Sequence, residues 1–392
     1  MTLPPLVALI GALVLADVAF THRRLLRAVR DARPPRPRLA RYPSITVIRP
    51  VRGRDVEAAA NFAAALDTGY PGEVETLFLV DDDGDPALPL LREAVARHQA
   101  SGARGRAAVL VAGPPPAGRT GKLNAMMVGL AEARGELVAF GDSDTRPDRD
   151  VLRCCVEALL QERGAGSAFA PVVVTNPPVT AGDAGYALLI NALYGPSVAL
   201  ASRPSGDVPF IMGQLMVLRR SAIHAIGGLN CADGQFVDDM HIGLCLSRAG
   251  LRNVQASRPL HIVTGGLTLY SFLRLYRRWL TFSRSGLPSG FTWPLWQRGV
   301  ELWVALLAMC AALAAGHPAA ALLPALAIVG FGASLVRLQR AFGGSPLPLR
   351  HTWMALSLFV ISPLLLLSCL MRREVEWRGR AYRLDAAARL AG

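Results

Sequence analysis

Lysine is almost missing from this chain. Of its 42 basic residues only Lys122 is a lysine and all others are arginine, which marks Lys122 as a candidate for a chemical requirement. Charge of either sign is sparse, at 18% of residues, and the 42 basic residues outweigh 29 acidic ones for a net charge of +13. No zinc spacing, no nucleic-acid fingerprint and no basic loop interleaved with aromatics occurs. That excess charge therefore points to an anionic membrane surface and not to nucleic acid. The six cysteines (Cys154, Cys155, Cys231, Cys245, Cys310, Cys369) lack a C-x-x-C and any paired framework, which leaves reduced, cytosol-facing thiols. Met1–Pro5 carries no positive charge ahead of the first apolar run, so a cleavable signal peptide is not expected.

What the chain does have is apolar length: 52% of it is hydrophobic. Leu3 to Phe20 is apolar except for Asp17 and spans about 27 Å as a helix, enough for the hydrocarbon core. His22, Arg23, Arg24, Arg27 and Arg30 follow at once, which sets the N-terminus outside and the rest in the cytosol. The stretch Arg33–Arg38, rich in Pro and Arg, reads as a stiff, solvated linker on anionic lipid. Leu302–Ala315, Ala319–Val336 and Trp353–Leu370 are further apolar runs, the first short enough to be re-entrant or incomplete. The loop Arg337–Arg350 and the tail bearing Arg372, Arg373, Arg378, Arg380 and Arg383 are both Arg-rich. Three full crossings would separate them, so one run is expected not to cross.

From Ser44 strands and helices alternate: strands at Ile45–Arg49, Val74–Val80, Ala107–Val111 and Glu136–Gly141, helices at Glu57–Leu66, Leu88–Gln99 and Leu123–Ala133. Alternation of this kind predicts an α/β fold, a mostly parallel sheet with helices on both faces. Pro209–Leu218 reads as two short strands broken at Gly213-Gln214. Phe236–Gly250 reads as a helix opened by Asp238-Asp239, and Leu269–Ser283 as a basic amphipathic helix with Arg274, Arg277 and Arg278 on one face. Asp183–Ser202 is apolar but, with its Gly, Asn and Pro, suits an interfacial or pocket-lining helix better than a span.

Acids gather at strand ends. Asp142 and Asp144 follow the strand Glu136–Gly141, where an open α/β sheet binds ligands. Two carboxylates there can hold a hard divalent cation, or they can merely cap the next helix. Asp81-Asp82-Asp83 ends the second strand, and adjacent like charges there need compensation or solvent. Between them a Gly-rich loop enters a helix at Lys122, which suits a diphosphate or an ordinary cap. Asp238 and Asp239 can complement a helix dipole or supply a general base.

As an ordered set these stretches resemble membrane-bound GT-A glycosyltransferases of the family-two kind, and more narrowly ceramide glucosyltransferases and their bacterial relatives, including hopanoid-associated glycosyltransferases. The resemblance runs over roughly residues 44 to 384. It is carried by Arg49-Pro-Val-Arg-Gly53, Asp67-Thr-Gly-Tyr-Pro71, Val80–Ala87, Gly121-Lys-Leu-Asn124, Asp142-Ser-Asp144, Met212-Gly-Gln214, Val237-Asp-Asp239, Arg277-Arg-Trp279 and Trp377–Arg383. It implies a GT-A domain at 44–268 between a 1–21 transmembrane anchor with a basic linker at 22–43 and an amphipathic interfacial region at 269–299. Membrane segments at 300–371 and a basic tail at 372–392 complete the expected organisation.

By the same resemblance Asp144 ligates Mg2+ or Mn2+, and Pro50, Asp82, Lys122, Asp142 and Arg278 bind the nucleotide-sugar. Asp239 is the catalytic base, with Asp238, Gln214 and Trp279 on the acceptor side. The family's Gln/Arg-x-x-Arg-Trp would need Gln or Arg at 275, where this chain has Leu275, and Arg274 is one residue off register. The implied activity is transfer of a sugar, glucose first, from a UDP-sugar to a membrane lipid hydroxyl such as ceramide. A hopanoid or diacylglycerol acceptor, or polysaccharide synthesis, is the alternative. A glycoside hydrolase, which also works with two carboxylates, would need neither the strand-end acid pair nor a phosphate-binding lysine.

Overall fold

The computed structural model describes residues 2–31, 35–103, 105–202, 207–281 and 289–391. A first helix, α1 (Leu3–Arg30), leads into alternating elements: β1 (Ile45–Pro50), α2 (Ala58–Leu66), β2 (Val74–Val80), α3 (Leu88–Ala100), β3 (Arg106–Val111), α4 (Gly121–Glu132) and β4 (Leu137–Gly141). There follow β5 (Thr145–Arg146), α5 (Val151–Gln161), β6 (Ala165–Phe169), β7 (Val172–Val174), α6 (Ala181–Leu188), α7 (Gly195–Ala201), β8 (Leu215–Arg219), α8 (Arg220–Ala225), α9 (Asp238–Arg248), β9 (Arg252–Gln255) and β10 (Leu260–Ile262). The chain ends with α10 (Leu269–Leu280), α11 (Ser289–Ala314), α12 (Pro318–Ala341), α13 (Trp353–Met371) and the hairpin β11 (Glu374–Trp377) and β12 (Arg380–Arg383).

The main sheet has the order β3-β2-β1-β4-β8-β6-β9. β3, β2, β1 and β4 run parallel, β8 is antiparallel to both neighbours, and β9 is parallel to β6. Strands β1, β2 and β4 are almost wholly buried, as their unbroken apolar runs require of a sheet covered on both faces. Phe62, Phe78, Leu88 and Leu91 close one face with α2 and α3. The other face shares a single core with the long helices, through residues such as Phe140, Leu189, Tyr276, Leu335 and Leu358. Neighbouring strands β1 and β4 diverge in their connections, one to β2 and one to the antiparallel half. The crevice at their carboxyl ends is where such a sheet leaves room for a ligand.

Among the described residues five helical segments are long and apolar enough to cross a membrane: Leu3–Arg30, Ala181–Ala201, Trp296–Ala314, Pro318–Ala341 and Leu349–Cys369. α1 and α12 lie side by side in the same direction, with Gly11 against Pro324, Leu15 against Gly330 and His22 hydrogen-bonded to Ser334 at 2.7 Å. α11 runs the other way along them, Arg298 pairing with Asp17 and Ala312 clustering with Val7. α13 behaves differently. Its Leu356 and Phe359 pack on Gly332 and Phe331 of α12, and its Pro363 packs on Gly299 of α11. Those partners lie level with the Leu15–His22 part of α1. Both its ends return to the sheet domain: Ser345 and Arg350 bond to the carbonyls of Thr175 and Val179 before it, and Arg277 to those of Arg372 and Glu374 after it.

Several expected boundaries move. The helix that begins in the expected 1–21 anchor, α1, continues unbroken through the basic residues to Arg30. The 302–315 run is part of the 26-residue α11, in which Arg298, just ahead of that run, pairs with both Glu301 and Asp17. Residues 32–34 of the Pro/Arg stretch and 282–283 of the amphipathic helix lie outside the described residues. The rest of that stretch is not a free linker: Arg36 pairs with Glu162, and Gln161 donates to the Pro37 carbonyl at 2.6 Å. Only one strand forms within Pro209–Leu218, because the Gly213 amide donates to the Asp239 carboxylate instead of a neighbouring strand. The tail folds into a hairpin against the sheet domain.

Candidate active site

A cavity of about 1180 Å³ opens at the ends of β1, β2 and β4 and runs to the long helices. At its polar end Lys122 Nζ stands 2.6 Å from Asp142 Oδ1. Lys122 is delivered by the first turn of α4, whose cap Thr120 accepts the Leu123 amide at 3.1 Å. Burial alone would lower the lysine pKa, but Asp142, Asp238 and Asp239 overcome it and hold the group charged. The Asp-Ser-Asp turn is braced from below by the buried Arg49, which donates to the Asp142 carbonyl and, at 2.7 Å, to Thr145 Oγ1. Ser143 Oγ donates to Asp55 Oδ2 at 2.5 Å. Asp144 faces the cavity, its carboxyl pushed up to about 6 by burial and then by Asp142 beside it.

Opposite this turn lies the start of α9. Asp239 Oδ2 accepts the Gly213 amide at 2.7 Å and Oδ1 accepts the Met240 amide at 2.8 Å. Asp238 accepts the Asp239 amide at 2.8 Å with Oδ1, while its buried Oδ2 has no hydrogen-bond partner among the described residues. Burial raises both carboxyls, Asp238 to about 6, against the pull of Lys122. Gln214 bonds the two halves together, its carbonyl accepting the Asp142 amide at 3.0 Å, and its Oε1 meets no partner among the described residues.

Pro50, Lys122, Asp142, Asp144, Gln214, Asp238, Asp239, Arg278 and Trp279 thus all line one cavity, although they come from six separate stretches of chain. Asp82 does not. It is exposed and caps the turn by accepting the Gly84 amide at 2.9 Å, while Asp81, one residue nearer the strand, turns into the cavity wall. The arginines of α10 also part company. Arg274 pairs with Glu376 at 2.6 Å and Arg277 holds tail carbonyls, so only Arg278 reaches the cavity.

Sequence reasoning left the tail hairpin out of the site. Its turn puts Arg378 Nη1 2.5 Å from Asp55 Oδ1 and Nη2 4.0 Å from Asp144 Oδ2. Arg380 Nη1 stands 3.2 Å from Asp81 Oδ2, and Arg52 pairs with the same carboxylate. The available signal was local: an Arg-Gly pair between short alternating runs, the pattern of a two-residue hairpin.

The other end of the cavity is apolar. Leu193 and Val198 from the segment 181–201, Leu335 and Leu338 of α12, and Leu358 and Leu366 of α13 form its walls. Tyr186 and Tyr194 stack edge-on to Trp279 at the junction of the two ends, at 6.3 and 5.3 Å between centroids.

A mannosyltransferase from Pyrobaculum calidifontis, solved in complex with GDP-Man and Mn2+, shares this fold with a TM-score of 0.60 at 17% identity, over 93% of this chain and 99% of that one. Ceramide glucosyltransferase 3 of Caenorhabditis elegans is 22% identical over 250 residues, 63% of this chain and 52% of that protein. The ceramide glucosyltransferase of Candida albicans is 25% identical over 133 residues, 30% of this chain and 23% of that protein. The chain therefore spans about half the length of these curated relatives, or less. The family model for glycosyl transferase family 21 matches residues 6–390, nearly the whole length, and on that match the chain belongs to glycosyl transferase family 21.

Proposed function

We propose that this glycosyltransferase moves a sugar, glucose first, from a UDP-sugar to the hydroxyl of a membrane lipid such as ceramide. One observation carries this reading: a single cavity joins strand-end acids and Lys122 to walls made by helices long and apolar enough to cross a membrane. A water-soluble acceptor would have no use for the apolar half, whereas a lipid must be met at headgroup level.

Among the described residues no three His, Cys, Asp or Glu side chains converge as a complete metal cage. Asp144 with Asp142 fits a cation held partly by diphosphate oxygens, because both carboxylates line the cavity one residue apart at the end of β4. Mg2+ or Mn2+ bound there would neutralise charge on the departing diphosphate. Lys122 and Arg278 act on the same phosphates, Pro50 and Asp81 border the nucleotide, and Arg49 keeps the acid turn in place. Asp239, oriented by the Gly213 and Met240 amides, takes the proton from the acceptor hydroxyl as its oxygen bonds to the sugar carbon and the UDP oxygen leaves. Asp238, Gln214 and Trp279 position the acceptor. One displacement inverts the anomeric centre and needs no protein nucleophile.

The geometry also supports a topology. With α1, α11 and α12 as spans and α13 lying across them at one depth, the Arg-rich loop before α13 and the tail after it fall on the same side as the catalytic domain. The arginine cluster of Arg23–Arg30 puts that side in the cytosol, against an anionic leaflet. Isolated membranes incubated with radiolabelled UDP-glucose test the reading. Label extracted into organic solvent supports a glycolipid product, and separation of the lipid distinguishes ceramide from hopanoid or diacylglycerol. Label found only in water-soluble saccharide rejects it.

A further inference from the structure

We propose that the C-terminal hairpin is part of the donor site, its Arg378 and Arg380 exchanging carboxylate partners for the donor diphosphate. The inference rests on the nucleotide-sugar reading above and deepens it. The two guanidiniums stand at the ends of β1, β2 and β4, on the acids Asp55, Asp81 and Asp144. Arg380 also meets the first turn of α4. A Cβ on Gly121 would lie 2.0 Å from Arg380 Nη1, so the guanidinium rests closely against that first turn. Tyr382 accepts the Gly121 amide at 3.4 Å, from the same hairpin. Lys122, a guanidinium and the positive end of α4 thus converge at a helix N-terminus, an arrangement suited to phosphate oxygens.

Nothing about the hairpin's fit is casual. Arg378 is in the left-handed region at φ 52°, followed by Gly379 at 71°, the backbone a two-residue turn demands but a non-glycine residue adopts unwillingly. Arg52 clasps the turn by donating to the Arg378 carbonyl at 2.7 Å, and Arg378 returns a bond to the Arg52 carbonyl at 3.2 Å. Arg278 lies over the Trp377 ring at 5.1 Å, and Trp377 and Tyr382 pack on Phe236 at 6.0 and 5.5 Å between centroids. Phe236 lies two residues before the Asp238-Asp239 pair. The hairpin therefore ties the donor end of the cavity to the segment bearing the base.

Charge supplies the reason for exchange. Without a donor, Arg378 is held by Asp55 and Asp144, and Arg380 shares Asp81 with Arg52. A divalent cation on Asp142 and Asp144 would make Arg378 surplus beside Asp144, while the diphosphate brings new anionic oxygens within its reach. Arginine suits the role because its fork meets two oxygens at once.

The test is UDP binding by the full-length protein in detergent, measured by calorimetry with Mn2+, GDP being run in parallel. Arg378→Gln and Arg380→Gln should each weaken UDP ~10–100-fold, as loss of a charged hydrogen bond to phosphate would, and Arg378→Lys should restore part of the loss. UDP with Mn2+ should also slow hydrogen exchange of residues 374–383 in the unaltered protein, a measurement that decides the matter even if a variant fails to fold. Variants that bind UDP like the parent, or exchange in the hairpin unmoved by saturating UDP, overturn the hairpin's role alone. A parent protein that binds neither UDP nor GDP overturns the donor reading and this inference with it.

Discussion

Asp239 Oδ2 and the Gly213 amide nitrogen lie 2.7 Å apart, and no side chain can intervene: a Cβ on Gly213 would stand 2.4 Å from that oxygen. The strand-entry loop and the first turn of α9 are thereby locked together through the proposed base. Gly213→Ala should push the carboxylate aside and lower transfer by at least ~100-fold, comparable with the ~10²–10⁴ expected for Asp239→Asn. UDP affinity should stay within a few-fold of the parent in both. Normal transfer by Asp239→Asn would move the base to Asp238, whose free oxygen is buried behind it.

The acid motifs separate by position. Asp144→Ala should abolish the Mn2+ dependence of UDP affinity while the protein stays in the membrane. Asp82→Ala, at an exposed turn, should change UDP affinity less than ~3-fold, whereas Asp81→Asn, which strips Arg52 and Arg380 of their shared partner, should change it more. Equal effects at 81 and 82 would count against the cavity wall described here.

A pH profile follows from Asp238 and Asp239. Burial lifts Asp238 from its ordinary 3.8 to about 6, and Asp239 moves in the same direction. A carboxyl raised by folding binds more protons folded than unfolded, so its contribution to stability falls as pH rises from about 4 to about 6. Activity should run the opposite way, rising with pH as the base ionises above the ordinary carboxylate range. Lys122 pulls both carboxyls down, so Lys122→Met should shift the acidic limb of kcat/KM to higher pH, apart from any loss of donor affinity. An unmoved limb would show that Lys122 does not act on the base.

The topology can be read from intact cells. Protease added outside should spare residues 44–290. A short epitope inserted at Gly316, in the turn between α11 and α12, should be accessible from outside, and epitopes after Ser345 and Met371 should not. Opposite accessibility of the last two would make α13 a true span.

Much of this could be read along the chain because it depends on local periodicity. Unbroken apolar runs gave the parallel strands, and acids directly after two of them marked the cavity mouth, since a strand's end is determined by its own residues. Strand Val74–Val80 falls where its pattern put it. Which of two adjacent acids faces the cavity was beyond that reasoning, because Asp81 and Asp82 differ only in how the turn leaves the sheet. The 302–315 run looked too short because Arg298 and Glu301 stand just before it, and only packing on α1 shows Arg298 paired with both Glu301 and Asp17. The packing partners of α13 and the place of Arg378 were decided by tertiary structure alone. Hydropathy reports whether a helix tolerates lipid but not its direction, and no local pattern can say that a turn more than 300 residues from Asp55 will be held against it by charge.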